Sequence, residues 1–248
     1  VTHVIRGEDH VVNTAVQIEI FETLSGASPH FAHHSLLTGA DGKGLSKRLG
    51  SLSIASMREN GLEPMAVVSL AALLGTSDAI VPHRRVETLV EAFDLQKLSR
   101  APARFDEAEL KSLNAKLLHN IPYEEVADEL RALGISDGAP FWEAIRGNVT
   151  AIAEAKQWHE VIYGRVTLPA RANDKELLME AKRLLPPEPW DRTMWTSWTN
   201  ALKEKTGRKG KELFRPLRLA LTGLDHGPEL AALLPLIGKA ETERRLSS

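Results

Sequence analysis

Apolar positions change period once along this chain. Val4 and Ile5 form the apolar middle of a short strand that ends at Arg6-Gly7-Glu8-Asp9-His10. Asn13, a good helix N-cap, precedes Thr14–Leu24, where Val16, Ile20 and Leu24 recur at i, i+4 and i+8. Gly26 suits the position after the helix, and Pro29 blocks its continuation. Phe31–Leu37 then predicts a second strand. Strand, helix, strand is the order of a parallel βαβ unit, whose ligands bind beyond the carboxyl ends of the strands. RGEDH and the stretch after Leu37 would both sit on that rim.

Past Ser53 the alternation stops and helical spacing takes over. Met57, Leu62 and Pro64–Leu74 give an apolar helical run ending at Gly75, and Leu89, Val90, Phe93 and Leu95 continue it. Asp106 with Glu109 predicts a capped helix through Leu118. Pro122, Val126, Leu130 and Gly134 mark another, with Pro122 at its first position. Trp142–Ala155, Asp174–Leu185 and Trp190–Lys205 are further helices, and Pro186-Pro187-Glu188-Pro189 is a stiff linker. The expected fold is mainly α. Residues 1–54 form an α/β portion, 55–105 a helical connector, and 106–248 an all-α region with a subdivision near 170–189.

Between the two regimes lies Thr38–Ser51, TGADGKGLSKRLGS, with Gly39, Gly42, Gly44 and Gly50 around Lys43, Lys47 and Arg48. Glycine enters positive φ without penalty, so the run reads as a mobile loop. Clustered cations on mobile backbone suit a polyphosphate, and they equally suit a solvated basic loop. A P-loop is excluded: Leu45 follows Gly44 where that motif needs Lys and then Ser or Thr.

Composition narrows the class. The 248 residues are 43% hydrophobic and 26% charged, ordinary for a globular protein of one or two domains. No run approaches the ~18 apolar residues of a membrane span, and a cytoplasmic location without membrane partners is expected. Cysteine is absent, so disulfides and thiolate metal ligands are excluded. His30, His33 and His34, with Asp9 and His10 upstream, invite a metal reading, but adjacent strand residues point to opposite faces. They read instead as satisfied polar residues near a sheet edge, and no protein-bound metal is expected.

The net charge is −2, yet Lys203–Arg218 holds seven cations against Glu204 and Glu212. Arg208, Lys209, Lys211, Arg215 and Arg218 are therefore candidates for a phosphate-backbone footprint. Trp190, Trp195 and Trp198 just before them either stack on unpaired bases or fill a helical core.

VTHVIRGEDHVVNT followed by FAHHSLLTGADGKGLSKRLG resembles the second half of the catalytic domain of bacterial glutamyl-tRNA synthetases, class I aminoacyl-tRNA synthetases. LSRAPARFD resembles that family's RVSKSPAVFD stretch, and GRKGKELFRPLRLALTG with HGPEL resembles its GKKLFMPLRVALTG…HGPEL near the carboxyl terminus. The resemblance runs from Val1 to near the end, with anchors at residues 2–14, 31–50, 98–106 and 207–230.

Several expectations follow from the resemblance. The fold is the second half of a Rossmann-like catalytic domain, then an all-α stem-contact and anticodon-binding region. Gly44-Leu45-Ser46-Lys47-Arg48 stands at the lysine signature written KMSKS, commonly KLSKR in this subgroup. Lys47 then serves ATP as the catalytic cation, with Gly44, Leu45, Ser46 and Arg48 around it. Gly44 replaces the signature's first lysine, with Lys43 one place earlier. Arg6 contacts a carboxylate of glutamate; the lesser alternative is a surface Arg paired with Glu8 or Asp9. Implied partners are ATP with Mg²⁺, L-glutamate and tRNA(Glu), with the protein a monomer. The implied activity is glutamate–tRNA ligation; the alternative is a non-catalytic tRNA- or RNA-binding module derived from a synthetase.

The chain begins at Val1, and its only His-Gly pair, His226-Gly227, belongs to HGPEL. With no HIGH-type signature present, it is expected to be a piece of a longer protein that cannot make glutamyl-adenylate by itself.

Overall fold

In the computed structural model, strand β1 (His3–Gly7) lies parallel to β2 (His30–His34), with Val4 opposite Phe31 and Arg6 opposite His33. The structure describes residues 1–39, 42–44, 53–164 and 174–247. Helix α1 (Val11–Ser25) connects the two strands. It begins before the expected Asn13 cap, because a 3-10 turn over Glu8–His10 already winds the chain and His10 takes the cap position. Its end is as expected: Gly26 adopts φ 72° and donates its N–H to the Glu22 carbonyl at 3.0 Å. The stripe of Val16, Ile20 and Leu24 is 54%, 51% and 81% exposed, so helical periodicity here marks a helix without marking a buried face.

The expected strand Phe31–Leu37 is divided. β2 stops at His34, and β3 (Leu37–Thr38) pairs instead with β4 (Ala103–Arg104), in parallel. Ala103 N–H donates to the Leu36 carbonyl at 3.2 Å and Phe105 N–H to Thr38 at 2.8 Å. The LSRAPARFD stretch thus braces the strand that runs into the glycine-rich loop. Gly75 serves this junction: its φ is +82°, and an added Cβ would stand 3.2 Å from the Ala103 Cβ.

The chain divides into two compact units, Val1–Leu117 and Leu118–Ser248. In the first, α2 (Ile54–Glu59), α3 (Pro64–Leu73), α4 (Val86–Ala92) and α5 (Glu107–Leu118) follow the strands. Met57, Leu70, Leu73, Leu89, Leu110 and Leu113 form their core. Buried Asn114 accepts the Glu63 N–H at 2.8 Å, capping α3 where Pro64 follows.

In the second unit, α6 (Tyr123–Ala132), α7 (Gly138–Ile145) and α8 (Ala155–Tyr163) precede α9 (Lys175–Arg183) and α10 (Arg192–Thr206). Then come α11 (Lys211–Thr222), α12 (Leu230–Ile237) and α13 (Lys239–Leu246). Pro122 stands at the N-cap of α6, one place before its expected position. The single helix expected over Trp142–Ala155 is broken by a 3-10 turn at Arg146–Asn148 and by extended, buried Val149. Thr150 then bonds through its N–H and hydroxyl to the Glu154 carboxylate, at 3.0 and 2.5 Å, starting the next helical stretch. Trp142 and Trp198 lie at the centre, their indole N–H groups donating to the Ile121 and Ala181 carbonyls, both at 2.9 Å. Buried Arg245 of α13 donates to the carbonyls of Val161 at 2.7 Å, Ile162 at 3.0 Å and Leu221 at 2.6 Å. It thereby satisfies carbonyls that the last turns of α8 and α11 leave open. Among the described residues no helix is long and apolar enough to cross a membrane.

Candidate functional site

Arg6 closes the carboxyl half of β1, where the parallel register places it beside His33. Its Nη2 donates to Thr14 Oγ1 at 2.5 Å and to Gln17 Oε1 at 2.7 Å, and its guanidinium carbon lies 5.2 Å from the Phe31 ring centroid. The alternative pairing with Glu8 or Asp9 is not the one found; Asp9 Oδ2 lies 3.8 Å from His10 Nε2. Arg6 Nε is buried with no hydrogen-bond partner. Thr14, the buried residue of α1, donates its hydroxyl to the His10 carbonyl at 2.9 Å and lies 2.8 Å from His33 Nε2. A guanidinium stacked on an aromatic face, with one nitrogen saturated, is a rigid donor suited to a carboxylate.

Gly7, next in RGEDH, has a steric reason. A Cβ there would stand 2.5 Å from Asp9 Oδ1 and 2.9 Å from Leu36 Cδ2. The glycine lets the chain turn closely against Asp9 and the approach to β3.

At the root of the glycine-rich loop, Thr38 pairs with Gly44 in an antiparallel bridge. Gly39 N–H donates to the Lys43 carbonyl at 2.7 Å, and Gly42 adopts φ +76°. Gly44 thus belongs to a short hairpin closure, and Lys43 is exposed beside it. Leu45, Ser46, Lys47 and Arg48 lie outside the described residues.

The basic segment separates into two kinds of cation. Lys209, Lys211 and Arg215 are exposed. Together with Arg208, Asp174, Glu212 and Pro216, Lys211 and Arg215 line an open groove of about 620 Å³. Arg208 Nη1 bonds Asp174 Oδ1 at 2.9 Å. Arg218 faces the other way: its Nη2 donates to the Pro228 carbonyl at 2.9 Å, and its Nη1 is buried without a partner. Burial draws its pKa below the usual arginine range.

Trp198 is buried, as the core reading requires, and Trp190 donates to the Pro186 carbonyl at 3.2 Å. Trp195 is half-buried, 5.9 Å from Phe214, whose ring has Lys203 Nζ 5.5 Å away. HGPEL has a packing role as well. Gly227, at φ +129°, approaches Trp158 so closely that a Cβ would stand 2.2 Å from its Cη2.

Arg6 stands out in the sequence and His33 is bonded as a satisfied polar residue beside the sheet, but neither the grouping of Thr14, Gln17 and His33 around Arg6 nor Asp174 beside Arg208 is announced there. The first group was accessible: the βαβ order sets His33 beside Arg6, and Thr14 and Gln17 share a helix face at i and i+3. Asp174, 34 residues before Arg208, left no such signal.

Residues 1–112 match the family model for the catalytic domain of class I tRNA synthetases (E and Q), and residues 148–248 match that for an anticodon-binding domain. A glutamate–tRNA ligase of Chelativorans sp. (strain BNC1) is 53% identical over 248 residues, covering 99% of this chain and 54% of that protein. One of Azospirillum brasilense is 55% identical over 253 residues, covering 100% of this chain and 55% of its own. Among solved structures, a glutamate tRNA ligase from Elizabethkingia meningosepticum CCUG26117, in complex with its amino acid, superposes with a TM-score of 0.80 at 25% identity. That match covers 99% of this chain and 56% of the other. A glutamate-tRNA synthetase from Elizabethkingia anophelis gives 0.79 at 26%, again over 99% of this chain and 56% of the other. The chain spans about half the length of the curated relatives it matches. The chain is thus similar along its whole length, at more than half identity, to part of glutamate–tRNA ligases, its first unit matching the class I catalytic domain and its second the anticodon-binding domain.

Proposed function

We propose that the chain supplies part of a glutamate–tRNA ligase: the loop that serves ATP, an arginine for the amino acid, and the helices that hold tRNA(Glu). The observation that carries this reading is the identity of more than half with glutamate–tRNA ligases, sustained from one end of the chain to the other. The arrangement of Arg6 supports it, since a fixed guanidinium at the end of a parallel strand is where an α/β site takes an anionic substrate.

In the proposed reaction a carboxylate oxygen of L-glutamate attacks the α-phosphorus of ATP, which arrives as its Mg²⁺ complex, and pyrophosphate departs. A hydroxyl of the terminal tRNA ribose then attacks the activated carbonyl and AMP leaves. Arg6 holds a substrate carboxylate. Lys47, with Gly44, Leu45, Ser46 and Arg48, meets the phosphates, and its ammonium gains most as charge builds on the leaving group. Residues 1–54 complete the catalytic domain, 55–105 face the tRNA stem, and 106–248 bind toward the anticodon. Arg208, Lys209, Lys211 and Arg215 meet backbone phosphates, with Arg218 beneath them. The ligase acts in the cytoplasm as a monomer.

The test is Lys47→Ala in a full-length ligase that contains this sequence. Glutamate-dependent ATP–pyrophosphate exchange is expected to fall about 10²- to 10³-fold. An unchanged exchange rate would remove Lys47 from the chemistry.

A further inference from the structure

Behind Arg6 the number of protons available decides the state of a histidine. The Thr14 hydroxyl has one proton to give and two lone pairs to receive with. The His10 carbonyl, 2.9 Å away, can only accept, so it takes the proton. Arg6 Nη2, at 2.5 Å, can only donate, so it takes one lone pair. The remaining lone pair faces His33 Nε2 at 2.8 Å, and the set closes when that nitrogen carries hydrogen. Gln17 receives the second proton of Arg6 Nη2 at 2.7 Å, and Phe31 covers a face of the guanidinium.

We propose that Thr14 and His33 are positioning residues for Arg6: His33, protonated at Nε2, and Arg6 converge on the Thr14 oxygen and turn Nη1 toward the substrate carboxylate. This rests on the reading that Arg6 takes a carboxylate of glutamate. Thr14 of α1 is held from three directions, by the turn before the helix through His10, by β1 through Arg6 and by β2 through His33. Rotation of the guanidinium would forfeit two charge-assisted bonds and leave one lone pair of the buried Thr14 hydroxyl without a donor. Neither residue touches substrate in this arrangement, so their effect should fall on glutamate binding and spare the phosphate chemistry.

Two measurements test it. Long-range ¹⁵N–¹H spectra of the 248-residue chain at pH 8 should show His33 carrying hydrogen on Nε2; a bare Nε2 overturns the assignment. In a full-length ligase containing this sequence, Thr14→Val and His33→Leu should each raise the KM for glutamate about 10- to 100-fold. The KM for ATP should hold and kcat change by less than about threefold, with Thr14→Ser restoring the parent values. An unchanged glutamate KM in Thr14→Val, while Arg6→Ala raises it, overturns the positioning role and leaves Arg6 as the carboxylate ligand. If Arg6→Ala itself leaves that KM unchanged, the reading underneath fails and the proposal with it.

Discussion

Gly44 is proposed to stand where the related signature carries a lysine, and among the described residues nothing around it demands glycine. An added Cβ meets none of their atoms within 4 Å, and its φ lies outside the positive range. Gly44→Lys should therefore alter stability by less than about 0.5 kcal/mol in urea unfolding. In a full-length ligase it should lower the KM for ATP about fivefold, the value of one further screened ammonium near the phosphates. Gly227 is the opposite case. Positive φ and the Trp158 ring at 2.2 Å both resist a side chain, so Gly227→Ala should cost about 1–3 kcal/mol in the same unfolding measurement. Single residues differ likewise in how readable they are. Arg6 announces itself inside RGEDH, whereas Thr14, Gln17 and His33 acquire meaning only when the crossover returns the chain beside β1. Arg218 belongs to the same basic run as Lys211, and only packing shows it turned toward the Pro228 carbonyl. Charge spacing cannot tell an exposed cation from a half-buried one.

At the scale of elements, α11 carries the clearest division of labour. Leu213, Leu217 and Leu221 enter the core while Lys211 and Arg215 face the groove with Arg208. If Lys211 and the exposed Lys209 before α11 meet tRNA phosphates, Lys209→Ala with Lys211→Ala should flatten the slope of log affinity against log salt by about one to two units. An unaltered slope in filter-binding assays across salt would place the footprint on another face. Element type is largely legible: the parallel βαβ pairing, α9 after Asp174, and α10 within the expected Trp190–Lys205 follow from period and punctuation, whereas the close of α10 at Gly207 is seen only in the structure. The departures have local causes. Gly147 and Asn148 interrupt the helix read through Trp142–Ala155, and the Thr150–Glu154 bonds restart it. β3 leaves its predicted strand because β4, 66 residues later, offers the partner for Leu37 and Thr38. No local pattern announces a pair of two-residue strands.

Across the molecule, burial is uneven, and so is the expected resistance to opening. The described residues before Met57 contribute no buried hydrophobic side chain, whereas the second unit centres on Trp142, Trp198 and leucines of α11 and α12. Hydrogen exchange should therefore be fastest in β1, α1 and β2 and slowest in α10–α12 of the isolated chain. The second unit also has an acid-sensitive clasp. Arg244 first, and Arg245 next, hold the Glu241 carboxyl at about 2, against burial that pushes it upward. Its unfolded value is near 4.5, so between these limits the unfolded chain binds more protons than the folded one. The contribution of Glu241 is thus complete above pH 4.5 and is lost as pH falls toward 2. Arg245 makes the loss consequential, because the nitrogens that reach Val161, Ile162 and Leu221 belong to the guanidinium Glu241 neutralises. Glu180, Asp191 and Asp225 are also drawn down, so acid weakens the unit through several carboxylates, and the difference between proteins carries the test. Glu241→Gln should cost about 1–3 kcal/mol at pH 7 by urea unfolding followed through tryptophan fluorescence. That deficit should shrink as the pH is lowered from 4.5, where the parent protein loses what the variant never had. A deficit constant with pH would show that the carboxylate's charge contributes nothing to the clasp. Arg245→Met should be the harsher change, by about 3–5 kcal/mol, because Glu241 keeps Arg244 while the carbonyls of Val161, Ile162 and Leu221 lose their buried donor.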